Sequence, residues 1–356
     1  MPNLVSFADF QAATRDVKVT PKENLLNEAL KNNYFLSEML RGRGNDKRFQ
    51  GGTKLVEKIQ GDTNGSFAFY SPNDEFSPSQ TDTLRTVEAP WAFAKSEYVY
   101  TDETTVLNAG DPNAYIDLKK SYELACAVDT VNGMEAALWA TPSNSTMESA
   151  AADPRVAYSI PAFVTSDGNM PSGFSTLMNL SATANTWWKN KANTYTAATP
   201  DDTEAGLIAA LDDIVLQVQF DMPTGLPGQK WSDNDSKRKQ VICTNRDGVV
   251  FYKSRLRAAN DRMESLKDPG ISGPQFEGLP VIYVAQLDSA GWSSNQPNYY
   301  VLNLTHLFPV FHSEWFMKEK QTDGGAKQPN THVTYKFTWY NLFCRSRRRQ
   351  GYVAAA

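Results

Sequence analysis

The chain has 356 residues, of which 41% are apolar and 21% are charged, and its formal net charge is −5. This is a globular composition, and the length favours two or more lobes. The negative charge excludes a nucleic-acid binder held by bulk positive charge, and no apolar run approaches the roughly 20 residues that cross a bilayer. Cys126, Cys243 and Cys344 lie far apart without a C-x-x-C motif, which indicates neither disulfides nor a zinc site.

The first 50 residues predict an arm followed by a helix. Thr20 is a suitable N-cap, Pro21 suits the first helical position, and apolar residues recur at helical spacing as far as Phe35. The stretch RGRGNDKRFQGG, residues 41–52, then combines four glycines with a basic cluster. It predicts the end of the helix and a mobile joint.

The overlapping stretch RFQGGTKLVEKIQ pairs glycines with a threonine and a lysine, as phosphate-binding loops do. Such a loop places its lysine directly after the last glycine and opens a helix. Here a threonine precedes Lys54, and the residues that follow alternate as in a strand, with Leu55, Glu57 and Ile59 on one face. The pattern therefore favours a strand over a nucleotide site.

Period-two alternation continues to about residue 105. LVEKIQ, GSFAFYS and WAFAKSEYVY predict long strands, which are separated by two polar segments, GDTNG and SPNDEFSPSQTD. An excursion with so little continuous apolar face cannot bury much of itself. Because no adjacent helix is available to cover it, we expect it to lie on another surface, for which a neighbouring subunit is one candidate.

The strongest helix signal begins where Asp111 caps and Pro112 takes the first position, and it continues to Trp139. Such a helix is roughly 40 Å long at about 1.5 Å per residue. One apolar stripe is formed by Leu118, Tyr122, Ala125, Val128, Val131, Met134 and Leu138.

Residues 141–200 have little periodicity and begin a second lobe. Thr199 and Pro200 resemble the start of a helix over TPDDTEAGLIAALDDIVLQV, with Asp202 completing a capping box. VICTN predicts a strand, RDGVVFYKSRLRAAND predicts a turn and a helix, and FEGLPVIYVA, NYYVLNL and THVTYKFTWYNLFC predict further strands. Helices and strands mix without regular βαβ repetition, so the fold class is α+β.

No constellation of residues indicates catalysis. His306 and His312 have a spacing that serves neither an H-E-x-x-H helix nor a zinc finger, and His332 is remote in sequence. The nucleophile-elbow, kinase and dinucleotide-binding motifs are not found in the sequence. We therefore expect a protein that is not an enzyme and that binds no metal or cofactor.

The chain ends in an arginine-rich segment that contains Arg345, Arg347, Arg348 and Arg349. Three interpretations are open, namely contact with phosphate, salt bridges to acidic residues of a neighbouring subunit, and a solvated strand end. We favour the intersubunit interpretation, because a strand pattern precedes the arginines and the chain is acidic overall.

The order of these elements resembles that of the major capsid proteins of tailed bacteriophages, in particular their podophage-like branch. KNNYFLSEMLRGRGNDKRFQGGTKLVEKI looks like the family's arm leading into its extended loop, and FAFYSPNDEFSPSQTDTLRTVEAPWAFAKSEYVYTDET looks like that loop and its return. LKKSYELACAVDTVNGMEAALWA looks like the spine helix, and TEAGLIAAL, FEGLPVIY and NLFCRSRRRQGY look like segments of the axial lobe and the closing strands. The resemblance covers nearly the whole chain as a succession of short stretches.

The resemblance implies an α+β caudoviral major-capsid fold with five parts. These are an N-terminal arm and helix (1–50), an extended β-hairpin loop (51–105), a peripheral domain with the spine helix (106–155), an axial domain (156–300) and closing strands shared by both domains (301–356). Gly51 and Gly52 are the expected hinge of the extended loop. Lys54, Glu57 and Lys58, together with the four arginines, are expected where subunits meet.

The implied function is that of a major capsid protein that assembles with itself into hexamers and pentamers of an icosahedral phage head. The head encloses double-stranded DNA without sequence-specific binding, scaffolding and portal proteins are expected partners, and a decoration protein is a further candidate. The expected location is the virion capsid, assembled in the cytoplasm of the bacterial host with no membrane partner. Two alternatives stay open: an encapsulin-type shell with the same fold, and a carbohydrate-binding or carbohydrate-active protein.

Overall fold

The computed structural model describes residues 35–41, 48–63, 65–71, 75, 82–103, 118–197, 206–219, 240–258, 274–293, 296–323 and 330–356. The helices in these residues are α1 (Phe35–Arg41), α2 (Leu118–Leu138), α3 (Asn144–Met147), α4 (Ile160–Phe163), α5 (Leu207–Val218) and α6 (Arg246–Ala258). The strands are β1 (Arg48–Phe49), β2 (Lys54–Gln60), β3 (Leu84–Pro90), β4 (Ala92–Thr101), β5 (Lys191–Tyr195), β6 (Gln240–Thr244), β7 (Gln275–Phe276), β8 (Leu279–Tyr283), β9 (Tyr299–Asn303), β10 (Leu307–His312), β11 (Lys318–Asp323), β12 (Thr331–Cys344) and β13 (Gly351–Ala355).

A five-stranded sheet is built around β12. This strand pairs antiparallel with β10, β11 and β4, while β1 pairs parallel with β10. The alternation in THVTYKFTWY places Thr334 and Lys336 on a buried face, because successive side chains of a strand point to opposite sides. Helix α2 lies against this face: the Lys336 ammonium is 3.6 Å from the Glu123 carboxylate, and the Thr130 and Ser96 hydroxyls are 2.6 Å apart.

A six-stranded sheet has the order β5-β13-β9-β6-β8-β7. Every residue of β6 and β9 is buried, because both faces of the sheet are covered. On one face, α5 packs on β5 and β13 through Leu207, Ala210, Leu211, Ile214, Val215 and Val218. On the other face, Cys243, Tyr300 and Tyr352 belong to a larger core that includes Phe308 and Leu342 of the five-stranded sheet. This larger core joins the two sheets.

Several sequence predictions are confirmed by these elements. VICTN, FEGLPVIYVA, NYYVLNL and THVTYKFTWYNLFC contribute β6, β8, β9 and β12, and RDGVVFYKSRLRAAND contributes α6. The three cysteines are free and buried, and burial raises the pKa of Cys344 to about 12. The boundaries of the five predicted parts stay predictions.

The predicted spine helix is present as α2, and its end at Leu138 agrees with the predicted end at Trp139. Its predicted start at Asp111 and Pro112 lies outside the described residues, as do Thr20 and Pro21 of the first predicted helix.

The predicted apolar stripe of α2 is only partly right. Val128, Met134 and Leu138 are buried, whereas Ala125 is exposed. Of the other stripe members, Tyr122 and Val131 are half-buried, and the side chain of Leu118 lies outside the described residues. The buried side of α2 also carries polar residues, because it faces the polar inner positions of β4 and β12.

Helix α5 corrects a predicted boundary. It begins at Leu207, and Gly206 before it is extended, with φ −77° and ψ 162°. A continuous helix from Pro200 is therefore wrong, because the glycine interrupts it. Thr199, Pro200 and Asp202 lie outside the described residues.

The strand predicted at GSFAFYS is wrong, since residues 65–71 form no strand. Strand β2 pairs instead with β3, which was not predicted. WAFAKSEYVY forms β4 as predicted, but it pairs with β12 and so belongs to the five-stranded sheet. The physical reason is burial: Val87 and Ala89 of β3 reach the core, whereas Phe67 and Phe69 remain exposed.

Candidate subunit-contact surfaces

The β2–β3 hairpin is the first candidate surface, and its base packs on the core of its own chain. In β2, half-buried Leu55, Glu57 and Ile59 alternate with exposed residues, as the sequence predicted. Val87 and Ala89 of β3 are fully buried. The expectation that the whole excursion needs cover from another surface is therefore corrected, because the base is covered within the chain.

Backbone contacts fix the position of this base. The Glu88 N–H donates to the Met178 carbonyl oxygen at 3.1 Å, and the Gly61 N–H donates to the Thr83 carbonyl oxygen at 3.2 Å. Gly61 also lies so close to Trp187 that a Cβ atom at this position would overlap the indole ring. The glycine is therefore required for the hairpin to lie flat against this tryptophan.

An ion pair ties β2 to the end of β12. The Arg345 Nε donates to Glu57 Oε2 at 2.9 Å, and Arg345 Nη2 lies 2.5 Å from Glu57 Oε1. The two side chains are 41% and 32% exposed. Both residues were predicted to contact a neighbouring subunit, but in the described structure they bind each other.

The other candidate residues of β2 point away from the core. The Lys54 ammonium lies 2.6 Å from Glu88 Oε2, so it pairs across the hairpin. Lys58 is exposed, opposite Thr86 in the register. Lys58 therefore stays a candidate for contact with a neighbour.

Gly51 and Gly52, the predicted hinge, both have left-handed backbone conformations, with φ of 72° and 84°. Glycine adopts such conformations without the steric penalty that a Cβ atom brings. The Gly51 N–H donates to His312 Nε2 at 3.3 Å, and the Trp91 indole N–H donates to the Gly52 carbonyl oxygen at 3.0 Å. His312 and Trp91 were not predicted to act here, and no sequence pattern links them to the glycines.

The hairpin tip, defined as residues 65–71 and 75, presents aromatic side chains to solvent. Phe67, Phe69 and Tyr70 are 85%, 92% and 71% exposed. The rings of Phe67 and Phe69 contact each other edge to face, with 5.3 Å between centroids. Exposed aromatic groups of this size indicate an interaction site, because side chains left in water contribute little to the stability of a monomer.

Arg347 of the arginine-rich end is fully buried. Its guanidinium donates to the carbonyl oxygens of Phe163, Asn169 and Trp188 at 2.8, 2.7 and 3.1 Å, and to Asn190 Oδ1 at 3.3 Å. Burial lowers the pKa of Arg347 to about 10, which leaves it charged at neutral pH. The prediction that Arg347 contacts a neighbour is therefore wrong, because every one of these partners lies within the chain.

The remaining arginines lie nearer the surface. Arg348 is exposed and Arg349 is half-buried. Arg349 Nη1 lies 2.5 Å from His306 Nε2. Because a guanidinium can only donate, the histidine nitrogen is the acceptor of this hydrogen bond. Arg348 stays a candidate for intersubunit contact.

The described residues hold no group of three His, Cys, Asp or Glu side chains that could bind a metal ion. Across the same residues, no helix has both the length and the apolar character needed to span a membrane. His312 packs between the rings of Trp91 and Trp339, at centroid distances of 5.4 and 5.2 Å, and His332 lies 2.7 Å from Asp102.

The two sheets, the long helix α2 and the projecting hairpin together define the caudoviral major-capsid fold, and solved structures share it over nearly the whole chain. A chain of the cyanophage A-1(L) capsid asymmetric unit superposes with a TM-score of 0.61 at 13% identity, covering 93% of this chain and 96% of that one. A chain from the capsid of a native GTA particle gives 0.54 at 9% identity, with coverages of 94% and 95%. A chain of Mycobacterium phage Ogopogo gives 0.52 at 11% identity, with coverages of 94% and 96%. No protein-family model and no curated sequence matches this chain.

Proposed function

We propose that this chain is the major capsid protein of a tailed-phage head and that it assembles with itself into hexamers and pentamers. The observation that carries the proposal is the extent of the structural likeness. The superposition with the cyanophage capsid chain covers 93% of this chain and 96% of the other, so neither chain has a large part without a counterpart. The structures named above come from phage and GTA particles, and none of them favours an encapsulin or a carbohydrate-binding protein.

The surface of the chain supports self-assembly. A closed shell needs heterologous contacts, in which one surface of a subunit meets a different surface of the next. The exposed aromatic tip projects from a hairpin whose base is fixed by Val87, Ala89 and the Glu57–Arg345 pair. A fixed base with an exposed apolar tip suits an element that reaches a second copy.

The proposed function also defines the partners of this chain and the place where it assembles. The head encloses double-stranded DNA, which is confined by the shell and needs no sequence-specific contact. A scaffolding protein, a portal protein and a decoration protein are the proposed protein partners. Assembly takes place in the cytoplasm of the bacterial host, and the product is the virion capsid without enzymatic activity.

The proposal is tested by purifying the chain, expressed alone and with a co-expressed scaffolding protein, and examining it by light scattering and negative-stain electron microscopy. We expect closed shells, hexamers, tubes or polyheads in at least one condition. A monodisperse monomer in every condition would overturn the proposal. Sugar-dependent thermal stabilisation of such a monomer would point to the carbohydrate-binding alternative.

A triple variant sharpens this test. Replacing Phe67, Phe69 and Tyr70 by serine removes side chains that are at least 71% exposed, so the subunit should stay folded. Its shell yield should fall at least ten-fold. Leu216→Ser on α5 is the matched control, because Leu216 is 67% exposed and lies outside the hairpin.

A further inference from the structure

His312, the last residue of β10, lies where the chain enters the hairpin. We call residues 49–52 the hairpin root. Phe49 of β1 is the partner of His312 in the parallel register, and the Ser313 N–H donates to the Phe49 carbonyl oxygen at 3.1 Å. The imidazole itself is only 6% exposed. The ring is therefore a buried part of the contact between the hairpin root and the five-stranded sheet.

Both ring nitrogens of His312 face a backbone donor. The Gly51 N–H donates to Nε2 at 3.3 Å, and the Glu314 N–H donates to Nδ1 at 3.3 Å. A neutral imidazole carries its proton on one nitrogen, so only the other nitrogen can accept. The two hydrogen bonds therefore exclude each other in any one protonation state of the ring. An imidazolium carries a proton on both nitrogens and can accept neither bond.

The groups packed around the imidazole are mainly uncharged. Trp91 and Trp339 contact the ring edge to face, and Phe49 is its neighbour on β1. Glu314, the charged residue next to the ring along the chain, is exposed. Among these neighbours there is no buried carboxylate to bind an imidazolium, so a ring that gains a proton loses its acceptor role and gains no ion pair from them.

The hairpin root has room to leave the ring. Gly51 and Gly52 are exposed, so water can accept from a released backbone N–H. A Cβ atom at Gly51 would meet no atom within 4 Å, and glycine changes its backbone conformation at little steric cost. The adjacent Ser313 hydroxyl is buried without a hydrogen-bond partner, which is unfavourable. The network around His312 is thus incomplete in the arrangement that the structure shows.

The base of the hairpin does not depend on this contact. Val87 and Ala89 are fully buried, and Glu57 pairs with Arg345 at the end of β12. Loss of the Gly51 hydrogen bond would therefore loosen the hairpin root and leave β2 and β3 docked. The affected junction is the one through which the N-terminal arm joins the hairpin.

We propose that His312 is a pH-dependent switch for the hairpin root. When the neutral ring carries its proton on Nδ1, Nε2 accepts the Gly51 N–H and the root is held. When the ring gains a second proton, Nε2 becomes a donor that faces the Gly51 N–H, and the root is released. The contact is thus present at high pH and lost as the pH falls, in the range of about pH 5 to 8 in which imidazoles ordinarily gain their proton.

Hydrogen exchange of the unassembled subunit tests the switch. The exchange rate of the Gly51 amide is divided by the mean rate of the β2 amides, because this ratio removes the common effect of pH on amide exchange. We expect the ratio to rise about ten-fold between about pH 8 and about pH 5.5. His312→Phe keeps an aromatic ring but offers no nitrogen, so it should show the high ratio at both pH values. Equal ratios at the two pH values in the wild type would overturn the proposal.

A titration of the wild type followed by NMR is an independent measurement. The chain has three histidines, so ¹⁵N-histidine labelling gives few ring signals, and His306→Gln and His332→Gln assign them. The Trp91 indole N–H, which donates to the Gly52 carbonyl oxygen at 3.0 Å, reports on the root. We expect the ring signals of His312 and the indole signal of Trp91 to shift with one midpoint, which His332→Gln leaves unchanged. A Trp91 signal that stays constant while His312 gains its proton would contradict the switch, as would a ring that stays neutral until the subunit unfolds.

This inference goes beyond the proposed function, and the outcomes keep the two apart. Both measurements use the unassembled subunit, so they do not depend on shell formation. If the root responds to pH but subunits never assemble, only the proposed function fails. If shells form and neither measurement responds to pH, only the switch fails.

Discussion

The variant Arg347→Met removes a guanidinium that is fully buried between β12 and β13. Three backbone carbonyl oxygens, those of Phe163, Asn169 and Trp188, lose a donor at 2.7 to 3.1 Å. A buried acceptor left without a partner costs about 1–3 kcal/mol. Part of this loss is offset because methionine needs no desolvation of a charge, and the lowered pKa of Arg347 reflects that desolvation.

Three such losses, less that offset, should give a net destabilisation of about 3–5 kcal/mol. Urea unfolding of the unassembled subunit, followed by tryptophan fluorescence, measures it as a lowered midpoint. Arg348→Met is the matched control, because Arg348 is exposed, and its change should stay within about 0.5 kcal/mol. Arg347→Lys should fall between the two, since an ammonium keeps the charge but cannot reproduce the planar fork.

Equal midpoints for Arg347→Met and the wild type would refute this reasoning. So would an equal loss in Arg347→Met and Arg348→Met, because the structure places only the first side chain inside the core. The same comparison decides how the arginine-rich end is used. A low midpoint in Arg347→Met with normal stability in Arg348→Met assigns Arg347 to the fold and shows that the stability of the fold does not depend on the Arg348 side chain.

Three further changes have defined outcomes. Gly61→Ala should expose the hairpin to limited proteolysis, because its Cβ atom overlaps the neighbouring indole ring, whereas unchanged cleavage would contradict that contact. Gly133→Ala on α2 has open space around the new methyl group and should raise the free energy of unfolding by about 1 kcal/mol. Burial works to lower the pKa of Lys336, but the hydrogen bond and charge of Glu319 outweigh it, so the pKa is raised above 10.5. The ion pair of Lys336 with Glu319 therefore contributes its full stabilisation at pH values below 10.5, and this contribution is lost as the pH rises through the raised pKa of Lys336. In Lys336→Met, the urea midpoint should therefore fall less over this pH range than in the wild type.

Local sequence patterns correctly predicted some strands in which apolar and polar residues alternate. THVTYKFTWYNLFC and LVEKIQ have clear period-two signals, and both are strands in the structure. GSFAFYS alternates just as clearly but forms no strand, because a period of two does not reveal whether a partner strand exists. LRTVEAP, which does form β3, has only Val87 and Ala89 as inward residues, and this short apolar signal was too weak to predict it.

The candidate contacts were harder to assign, because burial of a charged residue depends on distant parts of the chain. Four arginines in one short segment look alike in sequence, yet Arg347 is fully buried and Arg348 is exposed. The difference comes from carbonyl oxygens more than 150 positions earlier in the chain, as the separations of 157 to 184 residues from Arg347 to its partners illustrate. The Glu57–Arg345 pair joins residues 288 positions apart, so it too could not be predicted locally.

These tertiary contacts bear on where the hairpin can move. A rotation at Gly51 would have to uncover Val87 and Ala89, which are fully buried, and break the Glu57–Arg345 pair. Exposing the valine costs about 1.5–3 kcal/mol, and a half-exposed ion pair adds up to about 1 kcal/mol. Movement beyond Gly61 meets no such penalty from Phe67 and Phe69, which are already exposed.

In the proposed pentamers and hexamers, we therefore expect adaptation to occur in the tip rather than at Gly51 and Gly52. Hydrogen exchange of the unassembled subunit can measure this difference. Amides of β2 and β3 should exchange slowly, since they are paired along the whole hairpin base, and those of residues 65–71 should exchange fast, since these residues lack a strand ladder. Equally fast exchange in β2, β3 and the tip would place the moving joint at the two glycines after all, because only opening of the docked base would expose those amides.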